Sequence, residues 1–221
     1  MSAVELSKSA VNAPRPVSWP KLALEDIADL RAYDRIRDEM RRDVIALKRV
    51  RRVQLGRLIS IVFENRETVR FQVQEMARAE RMHSDAQIQG ELDAYNPLIP
   101  GQGELSGTLF LEMTSADDLK QWLPRLVGIE RAIEILIGQS DDQKEPLLVR
   151  CKPEATHEAA LTREGTTASV HYIKFELDPV QVEAFASGPV TIRVAHRDYE
   201  ASVLLGEETR ASLLGDLRGS S

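Results

Sequence analysis

Glu80 and His83 stand three residues apart in the run from Phe63 to Pro100, FENRETVRFQVQEMARAERMHSDAQIQGELDAYNPLIP, and on a helix that spacing aims a carboxylate and an imidazole the same way. Carboxylate-bridged di-iron and di-manganese bundles carry such a Glu-x-x-His pair on their inner helices. The second copy that such a site needs would be Glu154 with His157, but these follow Pro153 and sit among Thr, Gly and Ala, where a long helix is disfavoured. A buried ion pair is the competing account of Glu80. On a helix over residues 67–83, Val69, Val73, Met76, Glu80 and His83 recur at alternating spacings of four and three and form one inward stripe. An unpaired carboxylate on that stripe is costly to bury, so it needs a cation, a metal or a proton. The preceding stripe of Leu30, Tyr33, Met40, Val44 and Leu47 has one charged member, Arg37, and the expectation is that Arg37 meets Glu80.

The same helix carries further candidate chemistry. Gln72 lies at the edge of the inward stripe, while Arg70, Gln74, Arg78 and Arg81 project outward as a basic, solvated face. Asn65 and Arg66 open the helix, where backbone amides and a guanidinium can receive an anion, or where they make a cap and a salt bridge. Glu64, Glu75, Glu80 and Glu91 are numerous enough to supply a catalytic carboxylate pair in three dimensions. Beyond them Tyr95, Asn96, Pro97 and Pro100 enforce a rigid loop ending at Gly101 and Gly103. The polar set points to a pocket or docking surface where the Glu80 helix meets that loop.

Elsewhere the residues favour structure over chemistry. His171 and His196 fall on the apolar faces of two strands, and a metal would need co-ligands not evident at useful spacing. A core histidine held by a backbone carbonyl is the commoner arrangement. Cys151, the single cysteine, has no neighbouring base and reads as a packed thiol. Lys48, Arg49, Arg51, Arg52 and Arg57 form a basic cluster without interleaved aromatics, which fits a solvated or internally paired face better than nucleic acid. No glycine-rich phosphate loop, nucleophile elbow, paired-cysteine motif or zinc-protease helix occurs.

The elements that must position these groups are legible in outline. With 221 residues, 43% hydrophobic and 29% charged, the chain can bury a sizeable core, and a net charge of −6 argues against a surface built for nucleic acid. One cysteine and the lack of an apolar leader or a membrane-length run point to a cytoplasmic protein. Residues 1–20 read as a flexible N-terminal tail with Trp19 as an anchor, and 21–221 as one α+β domain, with any two subdomains meeting near 138–168. A long amphipathic helix is expected over 24–48, a hairpin or bent strand over 50–63 around Gly56, and a short helix over 84–92. Strands are expected over 105–113, 129–137, 147–151, 170–177, 190–196 and 199–205, with helices at 115–126, 179–186 and 207–217. The architecture is α+β, with mixed, mainly antiparallel sheets covered by amphipathic helices.

The strings IALKRVRRVQLG, FENRETVRFQVQEMARAER and ELDAYNPLIPGQGELSGTLFLE, with a looser match from Val170 to Tyr199, resemble an uncharacterised bacterial family, number 3501 among the domains of unknown function. Carried onto this chain, the resemblance marks Glu64, Asn65, Arg66, Gln72, Gln74, Glu75, Arg78, Glu80, Arg81, Glu91, Tyr95 and Asn96 as ligand- or partner-binding candidates; His83 falls outside the set. It also implies a setting beside a rubrerythrin and an iron-sulfur oxidoreductase, and so a part in oxidative stress or peroxide handling. Three readings follow. The chain is an accessory protein for a redox partner, requiring no cofactor of its own and compatible with a homo-oligomer; or it binds iron or manganese through Glu80 with His83 or other carboxylates; or it senses a small anion through Arg66 and Arg78.

Overall fold

Runs of β-branched and aromatic residues with period-two alternation build two sheets in the structure, a computed structural model that describes residues 20–138, 145–155 and 165–219. The first sheet has the order β1-β2-β3-β7-β6, made from β1 (Arg52–Leu55), β2 (Ile59–Glu64), β3 (Glu104–Leu111), β7 (Val170–Glu176) and β6 (Lys152–Pro153). The second has the order β5-β4-β8-β9, from β5 (Leu147–Arg150), β4 (Ile133–Ile137), β8 (Val190–His196) and β9 (Tyr199–Leu204). Every pairing among the described residues is antiparallel, so the expected mixture of strand directions is not found there. The α+β architecture stands.

The two sheets face one another across the main core. Ile61, Phe63, Leu109, Ile173 and Phe175 of the first meet Ile133, Ile135, Val190, Ile192 and Val194 of the second. Cys151 is the corner at which the backbone leaves β5 in one sheet and enters β6 in the other; its amide donates to Ile133 O at 3.0 Å. At another corner the Tyr199 hydroxyl of β9 donates to Leu55 O at 2.8 Å and accepts from Leu58 N at 3.1 Å, tying the second sheet to the β1–β2 turn.

Helices cover the outer face of the first sheet. α1 (Leu30–Arg51) starts six residues later than its hydrophobic pattern suggests, because Leu24–Asp26 forms a separate 3-10 turn and Asp29 is the cap, accepting from Arg31 N and Ala32 N. α2 (Arg66–Ala79) and α3 (Asp85–Tyr95) follow, and with the Tyr95–Pro100 loop they enclose a smaller core of Leu22, Val69, Val73, Leu92, Leu98 and Ile99. Among the described residues three further helices are α4 (Ala116–Trp122), α5 (Pro179–Ser187) and α6 (Glu207–Arg218). No helix among the described residues is long and apolar enough to cross a membrane. Of the expected tail only Pro20 is described, so Trp19 lies outside the described residues, as do 139–144 and 156–164 within the expected subdomain boundary.

One buried ion pair holds these layers together. Arg51, at the end of α1, reaches Asp216 of α6 with both side chains 1% exposed, and donates to Phe63 O, Glu64 O and Ser212 Oγ. The basic cluster of the sequence therefore does not form one face. Arg51 is internal, Arg52 pairs with Glu112 over the Phe110 ring, and Arg57 reaches Asp118.

Candidate functional site

Glu80 is not drawn inward. α2 ends in a Schellman turn: Met82 N donates to Ala77 O at 2.9 Å, Arg81 N donates to Arg78 O at 3.3 Å, and Arg81 takes the left-handed conformation at φ 53°. Met82 then buries itself against the end of the helix, while Glu80, the C-cap, and His83, beyond the turn, are both exposed. The expected stripe stops at Met76. Arg37 instead grips Glu75 through two bonds of 2.8 Å, and the buried Tyr33 hydroxyl donates to the same carboxylate at 2.6 Å. Arg37 first, with Tyr33 assisting, holds the Glu75 carboxyl down to about 2. Burial and that carboxylate push the Tyr33 phenol above its ordinary value.

Several other candidates clamp the chain. Asn65 caps α2, its Oδ1 accepting from Thr68 N at 3.0 Å while its backbone N–H donates to Thr68 Oγ1. Gln74 is buried, against expectation, because its amide pairs with both Ala28 N and Ala28 O. Asn96 does the same to Leu22. Arg66 reaches Asp26 at 2.6 Å and Arg78 reaches Asp34 at 3.1 Å. Those two arginines are twelve residues apart on one helix, about 18 Å along its axis, so a single small anion does not touch both. Of the four glutamates, Glu91 stands near Glu80: burial, then Glu80, raises the Glu91 carboxyl.

Glu64, Gln72 and Tyr95 do come together, around a cavity of about 150 Å³. Its floor is the outer face of the first sheet, where Thr108 stands opposite Tyr172 and Phe110 opposite Val170. α2 contributes Val69 and Gln72, the loop contributes Tyr95 and Leu98, and Lys48 of α1 completes the wall. Glu64 is 7% exposed, and its carboxyl group has one donor among the described residues, Thr108 Oγ1 at 2.6 Å. The side chains of Lys48, Gln72 and Tyr95 have no hydrogen-bond or ion-pair partner among the described residues. Burial, with Tyr95 and Glu64 close by, raises the Tyr172 phenol, so it stays protonated and able to donate. Half-buried side chains with free donors and acceptors, beside one buried carboxylate, line a cavity that is partly apolar. Other depressions differ in this respect. One of about 180 Å³ near His83 is lined by Asp29 and Ser84, both occupied as helix caps, and an open one of about 430 Å³ has Arg78 already paired.

A family model described as a protein of unknown function (DUF3501) matches residues 21–217. The chain belongs to the DUF3501 family. A crystal structure of a protein of unknown function from Burkholderia pseudomallei is similar to it, with a TM-score of 0.80 and 30% identity over 90% of this chain and 100% of that one. No curated protein matches.

Among the described residues of this DUF3501 chain, Glu80 and His83 are not joined by further metal donors. Glu80 and His83 flank the Schellman turn in solvent, and among the described residues no three His, Cys, Asp or Glu side chains gather as a metal set; His157 lies outside them. His171 is buried with Nε2 2.8 Å from Thr167 Oγ1 and 3.0 Å from Ala168 O, while His196 donates from Nε2 to Val127 O at 3.1 Å. Burial depresses His171 and raises the Cys151 thiol to about 12.

Sequence reasoning missed Lys48, Thr108 and Tyr172 in the cavity. Their signals were weak: Lys48 sits in a basic run, and Thr108 and Tyr172 are each one of several polar residues in their strands.

Proposed function

We propose that this DUF3501 protein binds a small polar molecule in the Glu64 cavity and serves a redox or peroxide-stress partner as an accessory. The observation that carries the binding reading is the convergence of Glu64, Lys48, Gln72 and Tyr95, without partners sufficient for their polar atoms, on one partly apolar cavity. A cavity near 150 Å³ is the size that accepts benzene, so the ligand has roughly six to eight non-hydrogen atoms. A ligand at a hundredfold excess over its Kd stabilises the fold by about 2.7 kcal/mol, which raises Tm by roughly 5–10 °C for a domain of this size. A thermal-shift screen of small polar metabolites should show such a rise for the wild type and none for Val170→Trp, which fills the cavity. A rise that persists in Val170→Trp places binding elsewhere and overturns the reading.

The partner half of the proposal rests on the family resemblance and on one outlier. A non-glycine residue in the left-handed region is strained, and such strain gathers at functional surfaces. Arg81 is such a residue, exposed beside Glu80 and His83, and this end of α2 is where a rubrerythrin or an iron-sulfur oxidoreductase would dock. Co-purification from native cells, with metal content recorded on the same sample, tests it. Stoichiometric iron or manganese on the isolated chain, lost in Glu80→Gln, would instead support the metal alternative.

A further inference from the structure

Glu64 and Lys48 line the same cavity yet make no ion pair with each other, and neither is neutralised by another charged group of the described chain. Glu64 is more than nine-tenths buried, and a carboxyl group at that depth is costly without a cation facing it. Thr108 occupies one of its oxygens and leaves the other for an incoming donor. Lys48, half-buried, carries three donors and accepts nothing. A lone cation would satisfy Glu64 while adding a like charge near Lys48; a lone anion would do the reverse. A molecule carrying both charges satisfies both.

Resting on the binding reading above, we propose that the ligand is a small zwitterion, an ammonium and a carboxylate on one compact apolar body, as in a free α-amino acid. The ammonium meets Glu64, with Tyr95 and Tyr172 lining the same cavity. The carboxylate meets Lys48, with the Gln72 amide as a further donor. The body lies against Val69, Phe110 and Val170. The cavity volume limits that body to a few carbons, about the size of valine.

Calorimetric titration of the full chain with L-valine, isobutylamine and isovalerate separates the charges, since the second probe lacks the carboxylate and the third lacks the ammonium. L-Valine should bind at least tenfold tighter than either. Glu64→Gln should weaken L-valine at least tenfold and leave isovalerate unweakened; Lys48→Met should weaken L-valine similarly and leave isobutylamine unweakened. Lys48 is on the cavity wall, so that variant remains informative should the Glu64 variant fail to fold. If a single-charge probe equals or exceeds L-valine and loses binding in Val170→Trp, the zwitterion is overturned and the cavity reading stands. If glycine, L-alanine, L-valine, L-leucine and both single-charge probes all fail to bind at millimolar concentration, the zwitterion is overturned, and the thermal-shift screen against Val170→Trp decides the cavity reading separately.

Discussion

At the scale of single residues, the ion pair of α1 and α2 shows how far a sequence pattern reaches. Arg37 was legible as the charged member of an apolar stripe that had to find an acid on the next helix. Which acid it finds depends on the height at which the two helices meet, and that is set by the sheet beneath them. The partner is Glu75, five residues before Glu80, or about 7 Å along the axis. Because Glu75 is held at about 2 against an ordinary 4.5, its ionised form contributes stability above pH 4.5, and that contribution drains away as pH falls from there towards 2. The side chain is 27% exposed, so solvent screens part of it. Glu75→Gln should cost about 1–3 kcal/mol at pH 7, with the gap from wild type narrowing between pH 4.5 and 2. Urea unfolding at several pH values measures this; a constant gap would mean that the charge is not what stabilises.

At the scale of elements, strand positions were readable because a buried face repeats every second residue, and β8 falls where its alternation places it. Helix ends were less so. The apolar period of α2 continues on paper to His83, and no glycine marks its stop. The turn instead uses Arg81 and the burial of Met82, a tertiary contact with no local signature. Relieving that backbone gives a test at this scale: Arg81→Gly should raise unfolding stability by roughly 0.5–1 kcal/mol, since glycine takes a positive φ without steric cost. A loss of stability in chemical denaturation would show that the arginine side chain contributes more than its conformation costs. The cavity was half-legible for the same reason. Gln72 and Tyr95 lie within one polar stretch, whereas Thr108 and Tyr172 become neighbours only through strand register.

At the scale of the whole molecule, the contact least visible in the sequence is the most consequential. Arg51 and Asp216 are separated by 165 positions, and nothing local connects them. Once α1, β2 and α6 stack, they share one interior site with the carbonyls of Phe63 and Glu64. Asp216→Ala leaves a guanidinium buried without its counter-charge, so the expected cost is about 3–5 kcal/mol, read as a lowered denaturation midpoint. A change below 1 kcal/mol would mean that water reaches Arg51 when the acid is gone.

The corner at Cys151 has its own consequence. The same few residues are the edge rung of one sheet and the edge rung of the other, so the two sheets are joined there by continuous backbone. The sulfhydryl at that seam is sealed on both sides, and a thiol reagent meets it only when the seam parts. The lone sulfur atom of a cysteine is thereby turned from a point of vulnerability into a gauge of whether the molecule is intact.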